Sequence, residues 1–225
     1  AGLHERIDLQ LDIPSVCAEK LKNKTVDIGL IPVALLPELS DYHIISDYCI
    51  GADGKVDSVK LYSHVPLKEI DTILLDYQSK TSVTLVQVLS REYWKIKPEF
   101  TNTGAGFEEE IKGNTAAVVI GDRTFAKNGT YPYEFDLAEE WKDFTGLPFV
   151  FAAWVSLKEL NDNDFINTFN IALTSGLMNI DKALIDYHNP VIGFDPTDYL
   201  KNKISYPLDE AKRAGLLKFL GYLSL

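Results

Sequence analysis

The order of the short apolar runs restricts the fold of this chain more than any other feature. Up to residue 155, runs that read as strands alternate with segments of helical spacing, and beyond it only helical spacing remains. The strand-like runs lie at 7–13, 26–32, 58–63, 72–75, 116–120 and 149–155. Helical segments are predicted at 15–23, 82–94, 107–112, 136–144, 162–178, 179–187, 195–202 and 208–223. The segment from Asp136 opens Asp-Leu-Ala-Glu-Glu, which suits the positive end of a helix dipole. Strands alternating with helices predict an α/β protein with parallel sheets, and the helical tail is expected to pack on a sheet already made.

The same pattern predicts two lobes with a central cleft. Lobe one takes 1–70 and 149–225, and lobe two is the insert 71–148. Both crossings are then short, near 66–71 and 146–149. Two short crossings make a hinge, and a cleft between lobes is a common ligand site. A chain of 225 residues, 46% hydrophobic and 24% charged, has enough apolar surface to build this.

Charge and composition remove several function classes. The net charge is -11, with no run of Lys and Arg, so nucleic acid is not an expected partner. A small anion is still allowed, because salt screens distant charge over about 8–10 Å and local donors decide affinity. No stretch approaches the ~18 apolar residues of a membrane span. Cys17 and Cys49 stand in no metal-binding or redox motif. They read as small core residues of a protein in a reducing compartment, although the sequence permits their pairing. The opening AGLHERIDLQ has no basic flank followed by an apolar core, which favours the cytoplasm over export.

Four segments are candidates for chemistry. In the run from Leu74 to Val83 a strand ends, a polar turn follows and a helix begins. Ser79, Thr81 and Ser82 offer three hydroxyls beside Lys80 and the free N–H groups of a helix start, a suitable cradle for a carboxylate or phosphate. Ser79 or Thr81 equally suits plain helix capping. The buried strand at 116–120 ends in Gly121-Asp122, and ligands of open α/β sheets collect at the carboxyl ends of strands. Gly121 permits close backbone approach, and Asp122 is the candidate to orient a ligand hydroxyl or move a proton. A turn Asp making only local bonds fits the same residues. Ser58, at the start of a strand, is a candidate donor from the opposite lobe, or a plain strand serine. Phe149 opens a long apolar run and is a candidate cleft wall, or simply core.

Other chemistries lack their residues. His4, His43, His64 and His188 have no metal-ligand spacing, so no metal is expected. There is no nucleophile elbow and no P-loop. Gly104-Ala105-Gly106 lacks the rest of a dinucleotide fingerprint, and the run Glu108-Glu109-Glu110 reads as a solvated helix start.

Several of these segments together resemble one family. They are Val26-Asp27-Ile28-Gly29-Leu30-Ile31-Pro32-Val33, 58–63, 79–82, Ile120-Gly121-Asp122, and above all the stretch from Asp136 to Trp154. The chain resembles the chorismate dehydratases of the futalosine route to menaquinone over nearly its whole length. The resemblance implies a periplasmic-binding-protein-like fold of the second type used as an enzyme in the cytoplasm. It implies a hydro-lyase that converts chorismate to 3-[(1-carboxyvinyl)oxy]benzoate and water, without a metal or organic cofactor. Members of the family begin with a strand and a Ser-Tyr-x-Asn-x-x-Pro loop ahead of the region matching 7–14. Without them, lobe one is expected to lack its first strand and to show an open sheet edge. Two other readings share the fold. One is a solute-binding protein for a small carboxylate, and the other is the dihydroxynaphthoate synthase of the same pathway, expected to rely on a cleft histidine.

Overall fold

The computed structural model describes residues 3–185, 187 and 194–224, so His188 lies outside the described residues. In chain order the elements are α1 (Pro14–Lys22), β1 (Ile28–Pro32), β2 (His43–Ala52), β3 (Val59–Ser63), β4 (Thr72–Leu75), α2 (Lys80–Val88), β5 (Glu99–Asn102), β6 (Thr115–Ile120), α3 (Asp122–Phe125), β7 (Tyr133–Asp136), α4 (Leu137–Thr145), β8 (Phe149–Ser156), α5 (Asn163–Met178), α6 (Ile180–Ala183), α7 (Pro196–Asp198), β9 (Ser205–Pro207) and α8 (Glu210–Leu223).

The strands form two sheets. The first has the order β1-β8-β2-β9, and the second β5-β4-β6-β3-β7. Only β4 is parallel to its neighbours, β5 and β6. Every pair in the first sheet is antiparallel, as are both pairs of β3. The expectation of parallel sheets therefore holds at one place, where α2 supplies the crossover that a parallel connection needs. In the first sheet the chain leaves after β2 and returns as β8, which runs antiparallel to both β1 and β2.

The structure also moves the first crossing. Residues 59–63 pair with β6 and β7, so the chain changes sheets between Ala52 and Val59, not near 66–71. A division at residue 70 does not follow the sheets. Residues 7–13 are extended but form no ladder among the described residues, and Leu9, Leu11 and Ile13 are exposed. Alternation sets the pleat of a strand, but pairing needs a partner edge. The longest strand, β2, escaped detection because Ser46 and Asp47 interrupt its apolar alternation. The pairing register with β8 also shifts between Ile44 and Cys49.

One cluster of buried side chains runs through both sheets. It joins Ile31, Ala153 and Val155 of the first to Leu61, Ile73 and Val118 of the second. Trp141 of α4 sits at the junction with no exposed surface. Its ring meets Phe149 edge-on at 5.4 Å and Phe219 of α8 at 6.0 Å. α8 approaches the second crossing so closely that a Cβ on Gly215 would lie 2.2 Å from the Pro148 carbonyl oxygen. Only glycine fits there.

Asp136 holds the crossings together. It is buried, and its Oδ2 accepts from the backbone N–H groups of Val56 and Asp57 at 3.0 and 2.6 Å. Its Oδ1 accepts from Ala138 and Glu139 at 3.1 and 3.3 Å, capping α4. One carboxylate thus fastens the first crossing to the helix that leads into the second. Burial pushes its pKa up, against the pull of these backbone donors. Next to it, Asp57 takes Lys203 at 2.9 Å and Lys55 at 3.3 Å. Burial raises the Asp57 carboxyl, but the bond to Lys203 and the nearby charges outweigh it and hold the group below the ordinary carboxylate range.

Two outcomes are expected. Asp136→Ala leaves buried N–H groups unsatisfied and uncaps α4. Urea denaturation should show a loss of about 2–4 kcal/mol, the sum of a lost cap and an orphaned buried donor. Asp57 has a depressed pKa in the fold, so its stabilisation is present at neutral pH and is lost as pH falls through that depressed value. Asp57→Asn should flatten the acid limb of a stability–pH profile below the ordinary carboxylate range, leaving the neutral region parallel to that of the unsubstituted protein.

Candidate functional site

β4 and β6 lie side by side and parallel, and Asp76, just past β4, accepts from Ile120 N–H at the end of β6, so the turns after Leu75 and Ile120 are neighbours. α2 begins after the first turn and α3 after the second. Above them lies a cavity of about 940 Å³. It is lined by Gln78, Ser79, Thr81 and Ile120 from the two strand ends and by Phe151 and Trp154 of β8. β1 and the extended residues 7–12 form the sides.

The polar groups are distributed unevenly. The rim carries Asp8, Asp12, Asp27, Glu159 and Asp162 against two cations, Arg6 and Lys20. Both cations are already paired. Arg6 reaches Asp162 at 2.8 Å and Asp164 at 2.7 Å, and Lys20 reaches Asp12 at 2.7 Å. An anion is therefore disfavoured at the rim. The neutral donors of the α2 start line the same cavity, with Ser79 half-buried there.

The residues singled out in the sequence occupy different places. Ser79 lines the cavity and is the N-cap of α2. Its Oγ accepts from Ser82 N–H at 3.1 Å and donates to Ser82 Oγ at 2.8 Å. Thr81 also lines the cavity, yet its hydroxyl is committed to the fold. It donates to the Phe151 carbonyl at 3.0 Å and accepts from Ala34 N–H at 3.4 Å, tying α2 to the first sheet. Ser82 is buried behind Ser79. Gly121 has φ +67° and ψ −152°, a region open essentially to glycine alone, and its N–H donates to the Ser58 carbonyl at 2.9 Å. Asp122 is exposed at the start of α3.

Two candidates are corrected. The Ser58 hydroxyl is not a free donor facing the cavity. It is buried and bonded at 2.8 Å to Tyr199 Oη from the C-terminal segment. Phe149 is not a cleft wall, because it has no exposed surface and packs against Trp141 and Phe219. Phe151, two residues on, reaches the cavity instead. Tyr199 was not visible as a site neighbour in the sequence. Burial pushes its phenol pKa up, the Ser58 bond opposes this, and the charge of Asp122 adds to the rise. Gln78 and Ile120 were also missed. The only signal for them is their position at or just beyond the carboxyl ends of two buried strands.

Both cysteines are free. Cys49 is buried, and burial pushes its thiol up to about 12, which leaves it inert at neutral pH. Among the described residues no group of three or more His, Cys, Asp or Glu is placed to hold a metal ion. No helix among them is long and apolar enough to cross a membrane.

The family described as menaquinone biosynthesis matches residues 1–224. The chain belongs to that family. The chorismate dehydratase of Thermus thermophilus is 26% identical to this family member over 203 residues, which cover 81% of this chain and 73% of that protein. Among solved structures, an Archaeoglobus fulgidus protein matches with a TM-score of 0.69 at 14% identity, covering 98% of this chain and 89% of its own. A Candida albicans protein with the generic periplasmic binding protein fold matches at 0.55 and 10% identity, covering 96% and 80%. The periplasmic aliphatic sulphonate binding protein of Escherichia coli matches at 0.53 and 12%, covering 94% and 78%. This menaquinone-biosynthesis protein thus has a periplasmic-binding-protein-like fold, mixed α/β with two sheets.

The committed hydroxyl of Thr81 yields an expected outcome. Thr81→Val keeps the shape but orphans the Phe151 carbonyl and Ala34 N–H. It should lower stability by about 1–3 kcal/mol in urea denaturation, and Thr81→Ser should restore most of it.

Proposed function

We propose that this chain is a chorismate dehydratase of the futalosine route to menaquinone, acting in the cytoplasm as a hydro-lyase that needs no metal or organic cofactor. The observation that carries the reading is the match to the Thermus thermophilus chorismate dehydratase across 81% of the chain, within a family described as menaquinone biosynthesis. The geometry supports it. Chorismate is a compact dianion, and the cavity is lined by apolar side chains together with the uncharged donors of the α2 start.

In this reading one carboxylate of chorismate sits against Ser79 and the first N–H groups of α2, where Thr81 and Ser82 hold the turn in shape. Gly121 lets the backbone come close to the ring. Asp122 orients the ring hydroxyl and helps move the proton. The reaction breaks a ring C–H bond, and its electron pair becomes part of the aromatic system. The neighbouring C–O bond breaks as the hydroxyl leaves with that proton as one water. Aromaticity drives the step, so the protein's task is orientation and proton transfer. A lobe closure that excludes water strengthens the hydrogen bonds.

The sister synthase was expected to use a cleft histidine, and none of the three described histidines lines the cavity. The likeness to solute-binding proteins reflects the shared fold alone.

The test is mass spectrometry of chorismate incubated with the protein. Loss of one water is the expected result, and Asp122→Asn should lower turnover about 10²–10⁴-fold, the range of a lost proton-transfer group. Unchanged chorismate that still binds would replace the enzyme with a binding protein. Unchanged turnover in Asp122→Asn would remove Asp122 from the chemistry.

A further inference from the structure

We propose that the ion pair between the buried Asp76 and the half-buried Arg123 is a positioning device for the cleft. It locks the turn carrying Gln78 and Ser79 to the turn carrying Ile120 and Gly121, and so sets how tightly the anionic substrate is held. The proposal rests on the chorismate reading only for the identity of that substrate.

Asp76 follows β4, and its side chain has no exposed surface. Its Oδ1 accepts from Gln78 N–H at 3.0 Å, which shapes the turn leading to Ser79. Its Oδ2 accepts from Ile120 N–H at 3.0 Å and from Arg123 Nη2 at 2.6 Å. One carboxylate therefore holds the ends of both strands that border the cavity. Arg123 completes the lock. Its Nη2 also reaches Gln78 Oε1 at 3.2 Å, its Nη1 reaches Glu108 Oε1 at 2.7 Å, and its guanidinium lies 5.6 Å from the ring centres of Tyr77 and Phe107. Glu108 is thus part of this network and not only a solvated helix start.

Stability alone is a poor reason for this arrangement. Apolar residues of similar volume often replace a buried ion pair without loss. The pair supplies direction instead. A guanidinium is a planar fork of fixed geometry, and its carboxylate partner accepts along set lines. Both turns need such an external hold. Gly121 has no side chain and a backbone conformation open to glycine alone, and it follows directly on Ile120. Ser79 N–H donates to the Asp76 carbonyl at 3.4 Å, so its place follows from the same residue. Gln78, Ser79 and Ile120 all line the cavity, so a small shift between the turns changes the shape of the wall that an anion meets.

The test uses Arg123→Met and Arg123→Lys in the full chain, with steady-state kinetics on chorismate and amide hydrogen exchange without ligand. Arg123→Met should lower kcat/KM about 10- to 100-fold, the scale of a misplaced binding group, with the change in KM and not kcat. Arg123→Lys should recover part of the loss, because it keeps the charge but not the fork. Exchange at Gln78 and Ile120 should speed up about tenfold or more while strand β8 stays protected. A folded Arg123→Met with unchanged KM and unchanged exchange overturns the proposal, as does a fall in kcat alone. If Arg123→Met does not fold, Arg123→Lys decides, since a raised KM at unchanged melting temperature supports the lock and an unchanged KM refutes it. If the unsubstituted protein leaves chorismate intact, the functional reading fails and exchange alone decides. Faster exchange confined to the two turns supports the lock, whereas uniform loss of protection or none refutes it.

Discussion

Asp136 accepts four backbone hydrogen bonds with two oxygens, and most of the architecture is arranged around that one group. Two bonds secure the crossing from the first sheet to the second at Val56 and Asp57. Two start α4, whose Trp141 fills the junction of the sheets. From that fixed crossing the chain enters β3, where Val59 pairs with Ile120 and the Ser58 carbonyl takes the Gly121 N–H. The position of the Gly121 turn therefore follows from a carboxylate beyond the sheet's other neighbour. The arrangement accepts an unfavourable burial of charge, offset by donors from the backbone itself.

The cavity applies the same economy to its ligand. Its rim is acidic and its two cations are each paired with carboxylates. An anion bound there, as proposed, draws its attraction from the uncharged donors of the α2 start beside the apolar side chains of Phe151 and Trp154. Such donors discriminate by position more than by charge. That makes the relative placement of the Ser79 and Gly121 turns decisive, and links the chemistry of the site to the rigidity of the strand ends that carry it.

Parts of the site were legible and parts were not. Ser79 stood out as a hydroxyl between a buried strand and a helix, and it is indeed at the cavity as the cap of α2. Thr81 stood out for the same reason, but its hydroxyl joins α2 to Phe151 and Ala34. Nothing in its neighbours along the chain signals those partners. Ser58 meets Tyr199 from far along the chain, and Phe149 meets Phe219, so both lie in the protein rather than on its cleft. Gln78, Ile120 and the Asp76–Arg123 pair were invisible as a unit because their contacts join separate strands.

By itself the sequence determined the local choices. Periodicity marked most helices and five of the paired strands, the acidic run from Asp136 marked the start of α4, and Ser79 was one of two candidate caps of α2, because these depend on neighbours along the chain. It also carried the resemblance to the menaquinone-biosynthesis family. Only the tertiary structure decided the rest. It placed β3 in the second sheet, made the first sheet antiparallel, left residues 7–13 without a ladder and chose which hydroxyls face the cavity. Those outcomes depend on which edges and oxygens meet across long separations in sequence, and a hydrogen bond is specified by both of its ends.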